Sequence, residues 1–356
     1  MELIIRIASR SLSDKRYYIL FILILFAVVN VNGESKRDTL INKAWRDTFK
    51  IRKAQIFSTQ EASMVYLHPK PFQFVKNVPS DIYQMGKTAF SKKNLPKLGI
   101  ILAGSALLVA VDQPVTDASQ QFGRFIHLNP DRRSKTVFQF DIGSFHVNAM
   151  EVPDNLNSTF YYLGEGWGSM LIAGGLYSYG LIANDYRALQ TTSQIAESIF
   201  ALGITTQFLK RITGRQSPFR AMESADPVPG GDWHPFPAPS RYQKSVSNYD
   251  AFPSGHMATA MATLTILAEN YPDNKYIKPV GYSLLGVLGF AMLNNGVHWI
   301  SDYPLGLAIG YTCGKIVSAR GHQIIPRLST KKGASSALLP SYLGYGSVGL
   351  SYRSTF

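Results

Sequence analysis

The sequence predicts an all-α fold, a compact bundle of the six-helix type associated with a membrane and followed by a short strand-like C-terminal tail. Three observations carry that expectation. Apolar segments recur at Leu98 to Val111, Gly166 to Ala183, Ile199 to Leu209, Met257 to Ala268, Val280 to Leu293 and Leu305 to Ala319. Their lengths and their Ala, Gly and Leu content favour helices over strands. Gly166 to Ala183 approaches the ~20 residues that a bilayer-spanning helix needs. Small residues such as Gly281, Gly286 and Gly289 permit close helix approach, in a membrane bundle or a tight soluble one.

At the N-terminus, Arg6, Arg10, Lys15 and Arg16 precede an apolar run from Tyr17 to Val29, with Gly33 a small residue ahead of a cleavage point. Residues 1–33 read as a secretory signal peptide or, if uncleaved, a signal anchor. Both alternatives predict an exported chain. Residues 34–79 form a polar lead-in, and a helical domain spans 80–320. Within it Asp81 to Phe90 reads as a short amphipathic helix capped by Ser80. A Pro-, Gly- and aromatic-rich loop from Ser217 to Tyr249 separates the third apolar segment from the fourth, and loops of that length inside a compact domain are usually functional. Residues 321–356 form the tail, where Val348, Leu350 and Tyr352 alternate with Gly349, Ser351 and Arg353 as a strand does.

Composition narrows the partners. A chain of 356 residues with a formal net charge of +13 attracts anions, whether membrane surfaces or phosphorylated molecules. Nucleic acid is set aside, because no arginine-rich block with interleaved aromatics appears and one cysteine offers no zinc-ligand spacing. That cysteine, Cys313, lies in an apolar stretch and reads as a small core hydrophobe.

Three local patterns carry chemistry. Lys210, Gly214 and Arg215 stand where an apolar helix ends in a cationic turn, with Gly214 as its stop. Pro253, Ser254, Gly255 and His256 immediately precede a helical run, and backbone N–H groups at a helix N-terminus bind phosphate; Ser254 equally suits an N-cap. His298 and Asp302 stand four apart, a spacing that on one helix face lets the carboxylate hold one ring nitrogen and leave the other free.

In this order the patterns resemble the type-2 phosphatidate phosphatase superfamily, which also includes bacterial acid phosphatases and vanadium haloperoxidases. The resemblance covers roughly residues 81–319. It implies a phosphatase acting on a phosphorylated lipid or a small phosphate ester, with no cofactor and no metal, at the periplasmic face of an inner membrane or in the periplasm. It implies His298 as nucleophile, forming a phosphohistidine, Asp302 as its orienting partner, and His256 as the acid for the leaving oxygen. Lys210, Arg215, Ser254 and Gly255 are implied as phosphate ligands. Two arginines usual in the family are missing, because Ser217 precedes Pro218 and Met292 stands six residues before His298. Losing one such donor typically costs ~10²–10³ in rate, so Arg215 is expected to carry more of the phosphate charge. A weakened or inactive phosphate- or lipid-binding member, or an acid phosphatase for soluble substrates, is the alternative; vanadate-dependent halide oxidation suits a site short of cations least.

Overall fold

The computed structural model describes residues 54–59, 62–131, 134–142, 145–224, 226–326, 335–342 and 348–355. The expected signal segment, residues 1–33, lies outside them. In chain order the elements are β1 (Ala54–Ser58), β2 (Ala62–Leu67), α1 (Gln73–Lys76), α2 (Val78–Ala89), α3 (Leu95–Val109), α4 (Asp112–Phe125), β3 (Ser134–Ile142), β4 (Phe145–Pro153), α5 (Leu156–Tyr162), α6 (Gly166–Ile182) and α7 (Tyr186–Thr213). There follow α8 (Pro218–Glu223), α9 (Pro239–Lys244), α10 (Gly255–Asn270), α11 (Ile277–Asn294), α12 (Tyr303–Gly321), β5 (His322–Pro326), β6 (Ser335–Tyr342) and β7 (Val348–Thr355). Helices dominate, as the sequence predicts.

Each of the six apolar segments lies largely within a helix, α3, α6, α7, α10, α11 or α12. The largest extension is α7, which runs for 28 residues. Its flanks Gln190, Thr191, Gln194 and Glu197 are polar yet buried, so apolar periodicity marks only its later half. The short helix near residue 81 begins earlier than expected. Pro79 in its first turn presets the helical φ, Asn77 occupies the N-cap, and Ser80 lies inside the helix. The region 217–249 is not structureless, since it holds α8, α9 and a 3-10 turn over Val246–Asn248.

β1, β2 and β5 form a three-stranded antiparallel sheet, so part of the lead-in pairs with the first residues after α12. β3 with β4, and β6 with β7, form separate antiparallel hairpins. Tyr66 of β2 is fully buried and donates to the Asn270 carbonyl at 3.2 Å, which ties the sheet to the end of α10.

The core lies between α7, α10, α11 and α12. Gly306, Gly310 and Gly314 repeat every four residues on the α12 face that meets α10, and a Cβ at Gly310 would fall 2.2 Å from the Ala258 carbonyl oxygen. Only glycines allow that approach. Away from the site, Arg320 of α12 bridges Glu197 of α7 at 2.9 Å and Asp81 of α2 at 2.5 Å. The outward faces carry large apolar side chains, including Ile100 and Leu107 on α3, Leu181 and Ile182 on α6, and Ile204 and Phe208 on α7. Among the described residues, α11 alone is long and apolar enough to cross a membrane by itself; α3 and α4 pass that test together, bent by 67°.

Candidate active site

Backbone hydrogen bonds gather the three patterns before any side chain does. α7 ends at Gly214, whose φ of +57° and N–H bond to the Lys210 carbonyl make the left-handed cap that glycine adopts without strain. A Cβ there would also strike the His234 carbonyl. Arg215 then runs between two strands of loop: His234 N–H donates to the Gly214 carbonyl at 2.8 Å, and Ala251 N–H to the Arg215 carbonyl at 2.9 Å. Thr213 Oγ1 donates to the Phe252 carbonyl at 2.7 Å. Ser254 N–H donates to the Asp302 carbonyl at 3.0 Å, which joins the second pattern to the third.

Ser254 is the N-cap of α10, its Oγ accepting the Met257 N–H at 3.3 Å. Gly255 and His256 open the helix and are partly exposed. Lys210 is buried; its Nζ lies 3.8 Å from where a Gly255 Cβ would sit and 3.5 Å from Asp250 Oδ2. The ammonium therefore lies close to the start of α10.

His298 is 2 % exposed, and its Nε2 faces His256 Nδ1 at 3.2 Å. Behind it, Nδ1 lies 3.4 Å from Asp302 Oδ2, a close approach that stops short of a hydrogen bond. The two residues do not share a helix face. Trp299 is extended, a 3-10 turn covers Ile300–Asp302, and Pro304 in the first turn of α12 places the helix start after Asp302. Asp302 reaches back instead, its Oδ2 accepting the Trp299 N–H at 2.8 Å. Tyr161 of α5 lies over His256 with ring centroids 4.5 Å apart.

Arg215 is placed differently from the other six predicted residues. Its guanidinium is completely buried, and its four terminal N–H groups go to protein acceptors: Nη1 to Ser301 Oγ and Asp302 Oδ1, both at 2.6 Å, and Nη2 to Asp112 Oδ2 at 2.5 Å and the Gly230 carbonyl at 2.8 Å. Trp233 and Trp299 pack against it, with their ring centroids 4.7 and 5.4 Å from Cζ. The expectation that Arg215 makes good the missing arginines does not fit this arrangement, because its four terminal N–H donors are engaged inside the protein and Nε, without a partner, is buried. Of the two substituted positions, Met292 is fully buried with Sδ 3.9 Å from Ser254 Oγ. Ser217 is buried as the N-cap of α8.

Asp112 and Ser301 escaped the sequence reading. A lone carboxylate directly after the apolar run of α3 was the available signal, since such a charge is costly unless paired. The Tyr242 phenol of α9 is held above its ordinary pKa by burial and then by Asp250. Among the described residues no group of His, Cys, Asp and Glu side chains is arranged to hold a metal ion.

The helical bundle thus presents a histidine pair, one ring backed by a carboxylate, at the serine-capped N-terminus of α10 that Lys210 also approaches. Residues 192–324 match the family model of the PAP2 superfamily. Among curated proteins it is similar to the lipid A 1-phosphatase of Porphyromonas gingivalis, 32% identical over 68 residues; these are 19% of this chain and 15% of that protein's length. Among solved structures it is similar to a transmembrane PAP2-type phosphatidylglycerolphosphate phosphatase from Bacillus subtilis. That likeness has 13% identity and a TM-score of 0.31, covering 69% of this chain and 94% of the other.

Proposed function

We propose that this protein is a phosphatase that hydrolyses a lipid phosphate or pyrophosphate through a phosphohistidine at His298. The observation that carries the reading is the facing pair: His298 Nε2 against His256 Nδ1 at 3.2 Å, with Asp302 behind His298. A carboxylate at Nδ1 favours the tautomer protonated there, which leaves the Nε2 lone pair for attack. Nε2 bonds to phosphorus while the bond to the leaving oxygen breaks, and His256, protonated beforehand, gives that oxygen its proton. Water then attacks phosphorus with His256 taking its proton, the N–P bond breaks, and phosphate and free His298 result. Lys210, Ser254 and the Gly255 N–H hold the phosphoryl oxygens, whose charge such fixed donors stabilise.

Apolar side chains on the outer faces of α3, α6 and α7 favour a bilayer around the bundle and a substrate with acyl chains. The basic, then apolar, N-terminus supports a site on the outer side of an inner membrane.

The test is a quench of purified protein with radiolabelled phosphate ester, followed through phosphate release. Wild type is expected to give an acid-labile, base-stable phosphoenzyme that His298→Ala abolishes. His256→Ala is expected to slow alkyl esters by ~10²–10⁴ and activated aryl esters far less, since a good leaving group needs no proton. Label retained in His298→Ala, or no phosphate release from any ester, would overturn the proposal.

A further inference from the structure

Four fully buried groups run in series behind the histidine pair. Asp112, the first residue of α4, accepts the Ser301 backbone N–H on Oδ1 at 3.0 Å and the Ser301 hydroxyl on Oδ2 at 2.6 Å. The same Oδ2 takes Arg215 Nη2, and Arg215 Nη1 holds Asp302 Oδ1. Trp299 N–H fixes the other Asp302 oxygen, the one that faces His298. With one Asp302 oxygen held by the guanidinium and the other by a backbone amide, the carboxylate plane cannot turn. Asp112, Arg215, Ser301 and Asp302 have 0% exposure, so water does not screen their charges.

The charge count gives Asp112 its purpose. Arg215 paired with Asp302 alone would cancel the carboxylate that His298 needs when its ring becomes cationic. Sharing Arg215 between two carboxylates leaves the buried group one negative charge in excess. We propose that Asp112, contributed from outside the segment that matches the family, is a positioning residue for His298: it divides the Arg215 guanidinium and, through Ser301, sets the turn carrying Asp302, so that Asp302 stays fixed toward the nucleophile. This rests on the phosphatase reading. The groups that face the His298 ring are His256 on one side and Asp302 on the other. Asp112 acts through Arg215 and Asp302 and touches no substrate.

The experiment compares wild type, Asp112→Asn and Ser301→Ala as full chains in detergent. The readouts are pH profiles of kcat/KM on the best ester from the release screen, and binding of inorganic phosphate. Asp112→Asn keeps the side-chain shape and removes the charge. Its kcat is expected to fall roughly tenfold or more with KM within about twofold, the mark of a contribution made in the transition state. The acidic limb of its profile should move to lower pH, because a cationic His298 loses a stabilising negative charge. Phosphate binding at Lys210 and Ser254 should be unchanged. Ser301→Ala keeps both charges, and its kcat should fall with the limb unmoved; it carries the test alone if Asp112→Asn does not fold. Wild-type kcat in either folded variant, or an Asp112→Asn loss with no shift of the limb, would overturn the inference. The phosphatase reading would survive that result, since it depends on the wild-type phosphoenzyme.

Discussion

Met292 occupies a position from which a longer side chain would reach the proposed phosphate site, as its Sδ already lies 3.9 Å from Ser254 Oγ. A guanidinium there would grip an anion through charge-assisted hydrogen bonds, each worth ~1.5–3 kcal/mol. With no anion bound it would be a buried charge without a partner, because Met292 is fully buried. Met292→Arg is therefore expected to melt below wild type in plain buffer, and to regain stability with phosphate or vanadate at ~10-fold or more lower concentration than wild type requires. Thermal melts across an oxyanion titration check this, and equal responses would mean that the side chain is directed elsewhere. Local pattern was enough to mark the helix end at Lys210 and Gly214 and the helix cap at Ser254. The engagement of Arg215 was not legible, because its partners Asp112 and Gly230 come from a helix and a loop that no local motif connects to it.

At the scale of elements, the glycine stripe on α12 sets how near α10 can come. A Cβ at Gly310 would sit 2.2 Å from a backbone oxygen, whereas one at Gly286 of α11 meets nothing within 4 Å. Gly310→Ala is expected to cost ~1–3 kcal/mol through forced separation of the helices. Gly286→Ala is expected to be neutral or to stabilise by up to ~1 kcal/mol, the helix-propensity difference. Denaturation of the two variants in one detergent tests the contrast, and equal effects would mean that α10 and α12 stand farther apart. The apolar helices were readable because their composition is uniform. Helix α4 was not, for its sequence Asp112 to Phe125 mixes charges with a proline in the first turn, and its length emerges only from packing. The four-residue spacing of His298 and Asp302 suggested a helix face, but Pro304 delays the helix and a 3-10 turn does the work.

For the whole molecule, the outward Ile100, Leu107, Ile182, Ile204 and Phe208 decide what surrounds the bundle. Side chains of that size facing water on several helices would promote aggregation, whereas lipid accepts them. A chain whose first 33 residues are replaced by a cleavable leader is expected to remain in the membrane pellet after an alkaline carbonate wash. Release into the wash would mean that the N-terminal segment is the anchor and that the apolar faces have another cover.

The shared guanidinium also bears on descent and on engineering. Losing Arg215 would strand two buried carboxylates at once, and stranding a buried charge costs ~3–5 kcal/mol; losing Asp112 would leave Arg215 and Asp302 as a neutral pair, with the excess negative charge gone and one face of the guanidinium without its partner. A change at position 112 or 215 is therefore expected to be better tolerated with a compensating change at the other, which a double-mutant cycle measures. A graft of residues 192–324 onto another scaffold would omit Asp112, and with it half of the arginine's counter-charge. The smallest transplantable unit must begin upstream of α4.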